Sequence, residues 1–280
     1  PIVLDHLTSH GYSDYLAQVS VNSGLSKLIE PSISLRDFLN QIYAVLFTKY
    51  RNEYIYKNTI AKKILLGKHS LNTTHLLTEF RVGKNKADVV LINGTSSVYE
   101  IKTEYDSFNR LQNQIQSYSK VFDLVNVLTS QSQLEKITVL LPESVGILVL
   151  TDRNTISTIR KPLSNLNNFN PKIAFSSLRK NEYLKIIFSH YGYIPDLPNT
   201  LIFEECQKLF CAIPIDKLHG LFINVLKERK RSNLLEDFIV NAPSSLFAYV
   251  LSIGDQEKKI EKLMALLDKD FDSLIKAKIS

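Results

Sequence analysis

The chain has 280 residues with ordinary apolar content, sparse glycine and proline, and a formal charge of +6 at a pI near 9.1. That composition excludes a collagen-like or largely disordered chain, leaves room for one large or two modest domains, and favours polyanionic partners. No apolar run spans a bilayer and the start, PIVLDHLTSH, lacks the regions of a secretory signal, so a cytoplasmic location without a membrane partner is expected.

The first residue is not methionine, so the chain is expected to be processed or excised from something longer. Residues 1–33 are polar and expected to pack loosely, with His6 and His10 read as exposed. Ser34 suits the N-cap of a helix from Leu35, whose buried stripe is Phe38, Ile42, Val45, Leu46 and Tyr50. The pattern runs on through Tyr54, Ile60 and Leu65 with a break near Asn58. Glu53 lies at the edge of the stripe, where a carboxylate needs a cation or hydrogen bonds. Lys57, Lys62, Lys63 and Lys68 crowd the same region. Each alone reads as solvated; as a group beside a metal site they would serve as phosphate contacts. Residues 67–74 read as a turn without the spacing of a P-loop.

Residues 77–82 and 88–92 are rich in β-formers, and Asn93-Gly94 is a hairpin signal leading into an alternating strand over 97–103. The charges here are oddly placed: Asp88 opens one strand, and Glu100 and Lys102 share one face of the next. With a loop of Asn93-Gly94-Thr95, Ile92 pairs with Ser96 and Asp88 falls opposite Glu100, with Cβ atoms about 4.5–5.5 Å apart. Two carboxylates so placed call for a cation, and hard oxygen donors suit Mg²⁺ or Mn²⁺. A two-residue loop pairs Asp88 with Tyr99 instead and puts the carboxylates on opposite faces. A surface ion-pair cluster of Asp88, Glu100 and Lys102 is the plain alternative. Glu79 reads either as a carboxylate supporting such a site or as a salt-bridge partner.

Asp106 or Ser107 is placed to cap a helix with the stripe Phe108, Leu111, Ile115 and Phe122, and with Arg110, Gln114 and Tyr118 along one side. Residues 125–129 form a further strand, expected parallel to 97–103 because a helix makes the crossover. A helix over 132–141 stops at Pro142, and 146–151 with 155–159 form a second hairpin. This order predicts an α/β fold with a mixed sheet flanked by helices. The Asn-rich stretch 164–171 is taken as the boundary between a core over 1–163 and an all-helical accessory region over 164–280. Its helices are expected near 177–189, 201–210, 214–231, 234–240, 244–251 and 256–276. The run 227–231 reads as a solvated basic helix end, and Tyr183, Tyr191 and Tyr193 as core residues. Cys206 and Cys211, the only cysteines, are read as two buried free thiols.

Ala87-Asp88, a twelve-residue step and Glu100-Ile101-Lys102 together resemble the signature of the PD-(D/E)XK nuclease superfamily, with Ala87 in place of the usual proline. Gln114 and Tyr118 resemble the Q-x-x-x-Y helix motif of its RecB-like branch. Glu53 resembles the extra acidic residue that many members carry before the sheet, and the likeness covers roughly residues 53–160. The spacing is also similar to that of a small, poorly characterised bacterial group often found near mobile elements.

The resemblance implies a restriction-endonuclease-like core and metal-dependent hydrolysis of phosphodiesters in a nucleic acid, DNA first. It implies Mg²⁺, with Mn²⁺ as substitute, held by Asp88, Glu100, the Ile101 carbonyl and Glu53. Lys102 would orient the attacking water, which makes Asp88, Glu100, Lys102 and Glu53 the expected catalytic set. Arg110, Gln114, Tyr118, Lys57, Lys68 and Arg81 are the expected nucleic-acid contacts, and a homodimer is expected by analogy with relatives that cut both strands. The rival readings are a toxin-like ribonuclease and a nuclease-like fold kept as a DNA-binding or interaction module.

Overall fold

Runs of β-formers separated by tight turns build one six-stranded mixed sheet, hydrogen-bonded in chain order. Its strands are β1 (His75–Val82), β2 (Asn85–Asn93), β3 (Thr95–Lys102), β4 (Leu124–Ser130), β5 (Gly146–Leu150) and β6 (Ile156–Arg160). The computed structural model describes residues 4–5, 33–62, 74–229, 238, 241–253 and 256–276. The chain divides into two units, Thr59–Lys230 and the pair of segments Pro1–Asn58 and Arg231–Ser280.

In the first of these units β1, β2 and β3 run antiparallel, β3, β4 and β5 parallel, and β5 and β6 antiparallel. Gly94, at φ +70°, makes the turn between β2 and β3, and the register there is Asn93 with Thr95 and Ile92 with Ser96. The odd-length loop is therefore the one adopted. The crossover from β3 to β4 carries helix α3 (Leu111–Tyr118), and the expected parallel pairing is observed. Helix α4 (Leu134–Leu140) links β4 to β5.

One sheet face presents Val90, Ile92, Val98, Val125, Val127 and Ile147 to Leu111, Ile115 and Tyr118 of α3. Four further helices complete this core: α5 (Pro171–Ser176), α6 (Lys180–Tyr191), α7 (Asn199–Ala212) and α8 (Ile215–Lys227). Phe169, Phe175, Phe210 and Phe222 join the same apolar cluster as the strands. The expected boundary at 163/164 thus does not coincide with the division into units, because residues 164–230 share one core with the sheet. The secondary-structure elements of the C-terminal part are all helices among its described residues.

Arg229 departs from the solvated helix end expected of run 227–231. Its guanidinium donates to both oxygens of Glu182 at 2.7 and 2.9 Å and lies 5.0 Å from the Phe80 ring. Cys206 is buried as expected, but Cys211 is exposed. Tyr183 is buried among core aromatics and Tyr193 is exposed.

The second unit joins helices from both ends of the chain. Its helices are α1 (Leu35–Lys49), α2 (Glu53–Ile60, whose last residues cross into the sheet unit), α9 (Phe247–Ile253), α10 (Glu257–Leu267) and α11 (Phe271–Lys276). Ser34 caps α1 as expected, through Asp37 N–H. The α1 stripe packs on C-terminal residues: Phe38 stacks on Phe271 at 3.7 Å, and Arg36 pairs with Asp268 at 2.9 Å. α1 thus falls in the unit built with the C-terminal segment, and its stripe is narrower than expected, since Val45 and Tyr50 are exposed. The break in the helical pattern falls at residues 50–52, not near Asn58. Asn58 is instead buried, bonded to the Ser244 carbonyl and to Ala248 N–H. Residues 256–276 form two helices, because Asp270 leaves the helix to bridge Ser34. Among the described residues no helix is long and apolar enough to cross a membrane. The expectations for residues 6–32, 67–73 and most of 234–240 lie outside the described residues.

Candidate functional site

The site grows from the point where β2 leaves β3. Their ladder stops at Val89 with Tyr99, one step short of Asp88 with Glu100. The Ile101 N–H beyond it donates to Asp88 Oδ2 at 2.7 Å, so the side chain takes over where the backbone partner is lost. On the other side of Asp88, the pairing with β1 skips Glu79, which sits at φ +57°. Such a conformation is uncommon for a residue with a Cβ and costs about 1–3 kcal/mol. Its effect can be read in the core: Leu77 packs on the cluster before Glu79, and Phe80 and Val82 after it, so the strand changes face there. Oxygens of Glu79 and Asp88 lie within 4.8 Å of each other, and Lys86 bonds Glu79 at 2.6 Å.

Glu100 is 2% exposed, so the exposed ion-pair cluster is not what forms. Three donors converge on it: Lys102 Nζ at 2.8 Å and Gln114 Nε2 at 2.5 Å on Oε1, and the Tyr118 hydroxyl at 2.9 Å on Oε2. Burial pushes the Glu100 carboxyl above its ordinary range, against the opposing pull of Lys102 and the hydrogen bonds. Burial beside the Glu100 and Asp88 charges likewise drives the Tyr118 phenol far up, so it stays a donor. Its oxygen also lies 3.0 Å from the Lys86 carbonyl, which ties α3 to the strand just before Asp88. Asn85 Nδ2 reinforces that tie through Ser117 Oγ at 2.7 Å.

Of the expected nucleic-acid contacts, Arg81 and Arg110 are exposed, Arg110 at the start of α3. Gln114 is half-buried on Glu100, and Tyr118 is fully buried, where it holds the geometry of the carboxylate. Lys57 bonds Glu53 at 2.6 Å with its side chain 15% exposed, and both belong to the helical unit. Lys68 lies outside the described residues. Asp106 does not cap α3; its carboxylate closes a turn on Thr103 N–H and Oγ1 at 2.8 and 2.7 Å.

Two features were not foreseen. Thr129, paired with Lys102 across β3 and β4, is fully buried and its hydroxyl has no hydrogen-bond partner. In sequence it only ends an apolar strand; the register is what puts it beside the lysine. On the opposite sheet face a cavity of about 420 Å³ is lined by Ser97, Tyr99, Asn126, Leu148 and Lys161 among others. Burial pushes the Tyr99 phenol up to about 12.

The family described as "Bacteriophage P4 protein cII" matches residues 47–245. Protein cII of Enterobacteria phage P4 is 25% identical over 212 residues, covering 73% of this chain and 74% of that protein. A solved protein of unknown function from Silicibacter pomeroyi superposes with a TM-score of 0.30 at 16% identity, over 43% of this chain and 82% of that one, too slight a likeness to bear on the fold.

Proposed function

The chain belongs to the family of bacteriophage P4 protein cII, and we propose that it is a metal-dependent nuclease acting on DNA. One observation carries the proposal: Glu100 and Lys102, buried and paired at 2.8 Å, sit beside Asp88 where the sheet opens. A buried pair at a strand end, tied by Gln114 and Tyr118 from a neighbouring helix, is costly to build for stability alone.

The donor set fits a hard divalent cation. Asp88 and Glu100 offer carboxylate oxygens, Glu79 adds another within 4.8 Å of Asp88, and among the described residues no sulfur or imidazole accompanies them. Gln114 Oε1 is buried without a hydrogen-bond partner while its amide donates to Glu100, leaving an acceptor suited to a cation's hydration shell. Asp88, Glu100 and the Ile101 carbonyl would hold Mg²⁺, which when bound supplies Lewis acidity toward a phosphate and a water of lowered pKa. Lys102 contributes a fixed positive charge and a proton donor facing the same carboxylate. Gln114 and Tyr118 fix the Glu100 rotamer, and Arg110 and Arg81 are exposed cations for backbone phosphates.

The test is electrophoresis of plasmid, single-stranded DNA and transfer RNA after incubation with Mg²⁺ or with EDTA. Cleavage of DNA in Mg²⁺ and none in EDTA is expected. Cleavage of RNA alone would replace the substrate, and binding without cleavage of any of the three would overturn the reading in favour of a binding module.

A further inference from the structure

We propose that the Lys102 ammonium has two seats, Glu100 Oε1 and Thr129 Oγ1, and that Thr129 is the positioning residue that receives it when a cation takes Glu100. The inference rests on the metal-dependent reading above and deepens it. Glu100 Oε1 already accepts from both Lys102 and Gln114, so a cation that binds this oxygen must displace a donor. Lys102 is the donor that leaves: it alone carries positive charge, and two cations on one carboxylate oxygen repel. Gln114 and Tyr118 are neutral and shorter, and the Tyr118 hydroxyl also has the Lys86 carbonyl as a partner.

The displaced ammonium needs an acceptor, because an unpaired charge under cover is costly. Thr129 supplies one. It is the β4 residue paired with Lys102, and paired residues on neighbouring parallel strands project to the same side, with the strands about 4.8 Å apart. Thr129 is 0% exposed and its Oγ1 has no hydrogen-bond partner. Buried hydroxyls are nearly always satisfied, so a vacant acceptor next to a lysine that must move is a seat awaiting its occupant. With its ammonium held there, Lys102 stays at the strand end, beside the reacting groups, instead of swinging into solvent.

The experiment is a double-mutant cycle read by calorimetric titration with Mn²⁺. Thr129→Val keeps volume and β-propensity and removes the seat, so Lys102 competes longer for Glu100. Mn²⁺ binding is expected to weaken by roughly ten- to hundredfold, the scale of one hydrogen bond to a charged group. Thr129→Ser, which keeps the hydroxyl, is expected to bind as wild type. In a Lys102→Met background the Thr129→Val effect should vanish, since no ammonium remains to seat. An equal loss in both backgrounds makes Thr129 merely structural and overturns the proposal, as does unchanged binding in Thr129→Val. Failure of the wild type to bind Mn²⁺ removes the metal-dependent reading itself, and is told apart because it appears before any substitution.

Discussion

Replacing Lys102 by Met tests whether the Glu100 pair is a buried one. Glu100 is 2% exposed by side chain and Lys102 11%, so the substitution leaves a carboxylate under cover. Removing one partner of a buried pair costs about 3–5 kcal/mol when the other charge is left uncompensated. Here Gln114 and Tyr118 still donate to Glu100, and hydrogen bonds to a charged group contribute about 1.5–3 kcal/mol each, so the expected loss in EDTA falls to about 1–3 kcal/mol near neutral pH. The loss also depends on pH with a definite sign. Burial already raises the Glu100 pKa in the fold, so the native state holds a proton that the unfolded chain releases first. Stability from this group is full below the ordinary carboxylate range and declines as pH rises through the folded value. Without Lys102 that folded value climbs further, so urea unfolding in EDTA should show a deficit that grows as pH rises above the ordinary carboxylate range. A deficit independent of pH, or no deficit at all, would refute the buried-pair account.

Other perturbations probe the surrounding fold. His219 is buried with Nε2 3.0 Å from Ser96 Oγ, and burial lowers its pKa despite the pull of Asp123. It therefore folds neutral, and stability should be lost as pH falls below the ordinary histidine range; His219→Gln should flatten that loss in thermal scans compared with wild type. Gly146→Ala would place a Cβ 2.3 Å from Asn126 Oδ1 and 2.8 Å from Pro162 Cδ. Overpacking of this kind costs about 1–3 kcal/mol, measurable as a lower urea midpoint, and an unchanged midpoint would mean Asn126 relaxes freely. Arg229→Ala strips the two guanidinium hydrogen bonds from buried Glu182, which keeps only the Arg179 N–H, and should cost about 3–5 kcal/mol, with Arg229→Lys recovering only part because an ammonium cannot bind both oxygens as a fork.

How much of this could be read from sequence depended on the range of the interactions. The turn at Asn93-Gly94 was legible but its length was not: a two-residue loop stayed open beside the odd-length one, and only the pairing of Ile92 with Ser96 decides the β2–β3 register. The parallel β4 followed from the helix in its crossover. Periodicity could not say what the α1 stripe packs on, because Phe271 lies over two hundred residues away in sequence. Nor could it separate the helical residues 164–230 from a domain of their own, since amphipathic helices look alike whether they cover a sheet or each other. Arg229 looked solvated because basic residues at helix ends usually are; its partner Glu182 sits on another helix. That Glu100 and Lys102 share one face of β3 was legible from strand alternation, while the place of Asp88 beside them waited on the loop length. Thr129 and the strained Glu79 were not, because one needs the β3–β4 register and the other a backbone angle.

The central claim is that Lys102 takes part in chemistry that Asp88 and Glu100 prepare. The most direct measurement is the single-turnover cleavage rate of Lys102→Ala at saturating Mg²⁺, paired with DNA binding in Ca²⁺. Retained binding with cleavage reduced by on the order of 10²-fold or more is expected, the scale for losing a positioned proton-transfer or charge-stabilising group. Cleavage at the wild-type rate by a folded Lys102→Ala protein would contradict the claim.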